Sequence, residues 1–276
     1  MIVNEETDES VLDYGINEAE VNKAILTEII KPLDLKRVPL TVDIANIDSV
    51  DKETFALVRR NGFGGSDSSI LVGVNPFKTV GELIKDKLRK ELTEEEKAIG
   101  QLSAVRKGND LEPLIIKKVM ENFDLILFKP PHMYRFKEYP YLTMNFDGIT
   151  ELENRYIPIE IKVVTYKGEK HYNIMKCMFT EFSTETFEVT DCSMENISIE
   201  ERAAHYGIPP YYFTQLQQEI MALDAPYGYL AMMFESDWTL RVYKVFRDPK
   251  TQDAIIIEGY KTWQLINKER MRKANI

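Results

Sequence analysis

The segment YIPIEIKVV, residues 156–164, sets Glu160 and Lys162 among isoleucines and valines, and Asp147 stands upstream in NFDG. Side chains two apart on a strand share a face. Glu160 and Lys162 therefore point one way, while Ile157, Ile159 and Ile161 point the other. If NFDG and EIK lie on neighbouring strands joined by a tight turn, Asp147 and Glu160 meet at one end of a sheet. Glu112, in GNDLEP, can project from a preceding helix toward the same point. Three carboxylates and an ammonium group suit hard divalent cations: magnesium takes a few carboxylates and keeps water and a substrate phosphate as its other ligands. Two such ions, roughly 3.5–4 Å apart, stabilise both the attacking and the leaving oxygen of a phosphodiester displacement. Lys162 beside them can orient the water or neutralise developing charge. The same residues also have plainer uses. E-x-K on a strand makes surface ion pairs, Asp before Gly is a common turn residue, and Glu112 before Pro113 suits a helix N-terminus. What favours chemistry is that D-(x)12-E-x-K spans two strands, with its charges set inside otherwise apolar runs.

Elements to position these groups can be read along the chain. EAEVNKAILTEII reads as a helix ending before Pro32, and residues 51–60 as another leading into the glycine-rich NGFGGSDSSILVG. A helix is expected over 78–92. A longer one follows, with Leu111, Leu114, Ile115, Val119 and Phe123 spaced for one buried stripe. HMYRFKE, YLTMNFDGITE and RYIPIEIKVV read as an antiparallel meander with turns at Pro140 and Asn154. Residues 166–205, rich in Thr, Ser and Glu, read as an insertion or cover. PPYYFTQLQQEIMAL restarts as a helix with Pro209 and Pro210 near its first turn. GYLAMMFES and WTLRVYKVF form a hairpin turning at Ser236 and Asp237, and a helix from Pro249 to about Arg272 closes the chain. This order predicts an α/β (mixed α+β) domain with a central mixed sheet flanked by helices. It gives an N-terminal helical extension over 1–50 and one domain over 51–276, with the possible insertion at 166–205.

Composition narrows the function classes. The chain has 276 residues, 44% hydrophobic and 29% charged, as in water-soluble globular proteins. Its apolar runs fall far short of the ~20 residues of a membrane span, and the acidic N-terminus has no secretory pattern. Cys177 and Cys192 lie in no CxxC, which suits a reducing cytoplasm. His132, His171 and His205 are scattered, without zinc spacing. The net charge of −10, from 35 basic and 45 acidic residues, argues against a non-specific nucleic-acid coat. It is compatible with an enzyme that confines its cations to one groove.

The set Glu112, Asp147 and Glu160-Ile161-Lys162 resembles the PD-(D/E)XK nuclease superfamily, and more narrowly its lambda-exonuclease-like, YqaJ-type viral recombinase nucleases. RRNGFGGSDSSILVGVNPF (59–77), GNDLEP (108–113), NFDG (145–148) and YFTQLQQEIMAL (212–223) resemble the subgroup's motifs in its own order. The resemblance covers about residues 55–247. One departure is Phe146, where the superfamily's name has proline. Residues 1–50 and 166–205 match nothing in the pattern.

The resemblance implies a restriction-endonuclease-like core and a magnesium-dependent 5′→3′ exonuclease on double-stranded DNA ends, with manganese able to substitute. It further implies two ions per site. Asp147, Glu160 and the Ile161 carbonyl would hold one, and Glu112 would help with the second. Lys162 and Gln215 would position the water. Arg59 and Ser66 would bind a terminal phosphate, with Tyr212 also on the phosphate side. The implied partners are a single-strand annealing protein and further copies of the chain in a ring, in a bacterial host cytoplasm with a phage or prophage source and no membrane. Two other readings stay open: a structure-specific or restriction-type endonuclease, and a non-catalytic DNA-end-binding module. On residue chemistry alone, GFGGS offers free N–H groups before a helix, an anion site, or else a plain turn with Ser66 or Asp67 as N-cap. It lacks the G-K-[ST] of a P-loop. Gln215 and Gln217, two apart, face differently on a helix, and the resemblance favours Gln215.

Overall fold

A computed structural model describes residues 58–94, 103–130, 133–165 and 197–274. The readings for 1–57, the bulk of the 166–205 segment, and Cys177, Cys192, His132 and His171 lie outside the described residues. The elements run as follows. Short 3-10 turns at Arg59–Asn61 and Gly65–Asp67 precede α1 (Ser68–Leu71) and α2 (Val80–Leu88). Then come α3 (Ser103–Phe123), β1 (Leu127–Phe128), β2 (Tyr134–Arg135), β3 (Thr143–Met144), β4 (Gly148–Leu152) and β5 (Arg155–Val164). The chain continues with α4 (Ile199–His205), α5 (Pro210–Ala222), β6 (Tyr227–Phe234), β7 (Leu240–Phe246) and α6 (Pro249–Ala274).

Five strands form a mixed sheet in the order β1-β4-β5-β6-β7, and only β5 and β6 pair in parallel among them. A parallel pair needs a long crossover, and α4 and α5 lie in the segment that supplies it. β5 is central and buried on both faces. Ile157, Ile159 and Ile161 are buried in the core, and so is Glu160 on the other face. Each such isoleucine contributes about 1.5–3 kcal/mol by leaving water. α5 lies over the face that carries Pro158, Glu160 and Lys162. A Cβ on Gly228 of β6 would lie 2.9 Å from Leu216, 3.0 Å from Ile220 and 3.1 Å from Pro158. Only glycine lets helix and sheet approach that closely.

Two readings need correction. YLTMNFDGITE is not one strand. β3 pairs with β2 in a separate two-stranded sheet, and the chain re-enters the main sheet as β4. Asn145, Phe146 and Asp147 form the break, with Phe146 buried and packed edge-on against Tyr134. The buried stripe of α3 also departs from its spacing at Leu114. Leu111, Ile115, Val119 and Phe123 pack on the core, joined by Ile116, but Leu114 is 56% exposed. The β6–β7 hairpin, the Pro210 start of α5 and the closing helix follow the sequence reading. Among the described residues, no helix is long and apolar enough to cross a membrane.

Candidate active site

Strand register brings the first two acids together. β4 and β5 are antiparallel with Gly148 opposite Ile159, so the next step outward sets Asp147 opposite Glu160. Their connection at Glu153 and Asn154, both at positive φ, is the primed two-residue turn that suits twisted hairpins. Asp147 then crosses to β5, where its Oδ2 accepts the Ile161 N–H at 3.1 Å.

Around Glu160 the groups converge. The Lys162 ammonium donates to Glu160 Oε1. Gln215, on α5, donates from Nε2 to the same oxygen at 2.5 Å. The Gln215 Nε2 also donates to Glu219 Oε1 at 3.3 Å. The Tyr212 ring lies 5.6 Å from the Lys162 Nζ, within cation–π range. Burial, then the charge of Asp147, pushes the Glu160 carboxyl up to about 7, against the pull of Lys162. Burial and Glu160 also push Glu219 well up. Burial works against the Lys162 charge, but Glu160 and Asp147 outweigh it and raise its pKa. Negative charge is thus in excess here.

Glu112 stands outside this network. Lys129 donates to its Oε1 at 2.5 Å, and among the described residues no three Asp, Glu, His or Cys side chains are grouped to hold a metal ion. The adjacent glutamines are structural. Gln217 donates to the Phe246 carbonyl and accepts the Asp248 N–H. Gln218 donates to the carbonyls of Phe63 and Thr143.

The glycine-rich turn packs on the same helix. A Cβ on Gly65 would lie 3.2 Å from Gln215 Cγ. Arg59 Nη2 donates to Ser66 Oγ at 3.1 Å, so the two expected anion-binding residues are adjacent. Asp67 does not cap α1. Its Oδ2 accepts the Gly64 N–H at 3.0 Å and the Lys87 ammonium at 2.8 Å. Lys87 also donates to the Arg59 carbonyl at 3.0 Å, and so ties both ends of the turn to α2. Burial opposes the Asp67 charge, but Lys87 and Arg59 overcome it and hold the carboxyl below its ordinary value.

Sequence reasoning missed Glu219 and the Asp67–Lys87 pair. Glu219 had a signal, since it lies one helical turn after Gln215. Lys87 had none, because it reaches the turn only through tertiary packing.

A mixed sheet whose central strand carries Glu160 and Lys162 beside an aspartate, with helices packed around it, is the layout that the resemblance seen in the sequence implies. The alkaline exonuclease LHK-Exo from Laribacter hongkongensis is similar: in complex with dAMP it gives a TM-score of 0.50 at 14% identity, over 81% of this chain and 99% of that one. A second LHK-Exo structure gives 0.49 at 12% identity, over 80% and 98%. The chain belongs to the YqaJ-like viral recombinase domain family, which it matches over residues 54–224. It is also 28% identical over 131 residues to the uncharacterized protein YqaJ of Bacillus subtilis (strain 168). That match spans 48% of this chain and 38% of the relative's length.

Proposed function

We propose that the protein is a magnesium-dependent exonuclease that digests one strand of double-stranded DNA from its 5′ end, leaving 3′ single-stranded tails for strand annealing in phage or prophage recombination. The observation that carries this reading is the gathering of Lys162 and Gln215 on one oxygen of Glu160, across from Asp147, in a chain of the YqaJ family. Membership of that family and an exonuclease among the proteins of similar fold support the direction of the reading.

The donor set fits a divalent cation. The centre holds more carboxylate than ammonium: Asp147, Glu160 and Glu219 gather around the ammonium of Lys162. Magnesium needs only one or two carboxylates when water and phosphate complete its shell. Asp147, Glu160 and the Ile161 carbonyl would hold it, and Glu112 would contribute to a second ion on release from Lys129. When bound, the metal supplies Lewis-acid stabilisation of phosphodiester oxygens. Lys162 and Gln215 orient the attacking water, and Lys162 offsets charge that develops on the phosphate. Arg59 and Ser66 hold the terminal 5′-phosphate through charge-assisted hydrogen bonds, with Tyr212 flanking the scissile region. Reading an end rather than a sequence follows from that phosphate clamp. A ring of copies around DNA would make digestion processive, and an annealing protein would take the tail in the host cytoplasm.

The test is a time course on linear duplexes labelled at one 5′ end, with and without a 5′-phosphate, beside covalently closed circles, in magnesium and in chelator. The expected result is loss of label from phosphorylated linear DNA in magnesium alone, with circles intact. Cut circles would assign an endonuclease, and binding without cleavage a non-catalytic end-binding module.

A further inference from the structure

Glu219 is 1% exposed on α5, with no lysine or arginine in a salt bridge to it among the described residues. Its Oε1 accepts from Gln215 Nε2, and its carboxyl also faces that of Glu160 directly. A carboxyl buried against another carboxyl costs stability, and an apolar side chain of similar size would serve the core better. The hydrogen-bond geometry supplies another reason for its presence. The Gln215 nitrogen faces two acceptors at once, Glu160 Oε1 and Glu219 Oε1. A flipped amide would bring its own oxygen against both carboxyl oxygens, with no donor between them.

We infer that Glu219 is a positioning residue: it locks the Gln215 amide with its nitrogen on Glu160 and its oxygen turned away from the carboxylates, free to accept from the attacking water. This rests on the reading of the site as a nuclease centre. Glu219 also faces Glu160 directly, but its effect on turnover runs through Gln215. The spacing of one helical turn makes the pair a unit within α5.

The test uses Glu219→Leu, Glu219→Gln, Gln215→Leu and the double variant Glu219→Leu/Gln215→Leu in the full chain. Glu219→Leu should lower kcat about 10–100-fold, as loss of a supporting hydrogen bond does around catalytic ligands, with KM little changed and thermal stability equal or higher. Glu219→Gln keeps an oxygen for the Gln215 amide and should recover most of the loss. In the Gln215→Leu background, Glu219→Leu should have no further effect. Unchanged kcat, a joint fall of kcat and stability without rescue by glutamine, or additive effects would each overturn the inference. The side-chain amide proton pair of Gln215, assigned by its loss in Gln215→Leu, reads the positioning without turnover. Its hydrogen exchange should be slow in the wild type and in Glu219→Gln, and faster in Glu219→Leu. An amide pair indifferent to Glu219→Leu would overturn the inference even if the wild type cleaved nothing.

Discussion

Two lysine–carboxylate pairs lie near α5, and their surroundings push them in opposite directions. Lys162 and Glu160 sit among further carboxylates. Burial and Asp147 raise the Glu160 pKa, and the same crowd of negative charge raises that of Lys162. Lys87 and Asp67 sit beside Arg59, within reach of Lys78. There the cations pull Asp67 down despite its burial, and burial, with Arg59 and Lys78 against it, lowers Lys87. The same two-residue chemistry thus makes one centre short of positive charge and one short of negative charge. On the proposed function, a divalent cation would complete the first and a phosphate the second. Nucleotide chemistry at a DNA end brings both to one place.

The contrast can be broken first at the anionic centre. Lys162→Met should lower turnover about 100–1,000-fold, the scale of losing one electrostatic stabiliser of a transition state, with folding intact by circular dichroism. Turnover within a factor of two of wild type would mean that the Glu160–Lys162 pair is only structural. The cationic centre should answer in stability instead. Asp67→Ala leaves Lys87 buried without its partner and should cost about 3–5 kcal/mol in denaturant unfolding. Its pH dependence has a definite sign. Asp67 binds its proton less tightly in the folded chain than the ordinary 3.8. Its stabilisation is therefore complete above that value and drains away as pH falls through the lowered folded one. Wild type should lose stability below about pH 4 more steeply than Asp67→Asn, and parallel curves would remove the pair's electrostatic role. Arg59→Ala should raise KM for 5′-phosphorylated ends about tenfold and leave hydroxyl ends unchanged, a loss of roughly 1.4 kcal/mol, within the range of one charge-assisted hydrogen bond. An equal effect on both ends would make Arg59 a general DNA contact. Glu112→Gln should lower turnover less than Lys162→Met, because Glu112 must first leave Lys129 to reach a second ion. A loss as deep as that of Lys162→Met would return Glu112 to the centre of the site.

Much of this arrangement was legible in residue order. The isoleucine alternation of 157–161, the turn at Asn154 and the distance from Asp147 to Glu160 define a hairpin whose register brings the two acids together. The prolines at 209 and 210 mark where α5 begins, and the spacing of Gln215 and Gln217 separates one site-facing glutamine from one that holds the Phe246–Asp248 corner. What stayed hidden depends on contacts across the fold. The break at Asn145–Asp147 follows from Phe146 packing under Tyr134, which no periodicity announces. The Lys129 partner of Glu112 comes from just past β1, beyond the end of α3. Lys87 reaches Asp67 and the Arg59 carbonyl from a helix that reads as an ordinary amphipathic surface element.

Equilibrium manganese binding, followed by the paramagnetic signal of the free ion, tests the opposed polarity of the two centres most directly. The full chain should take up manganese, Glu160→Gln should lose that uptake, and Lys87→Met, kept under conditions where it remains folded, should retain it. Equal uptake by wild type and Glu160→Gln, or none by wild type, would contradict the assignment of a cation to the Asp147–Glu160 end of the sheet.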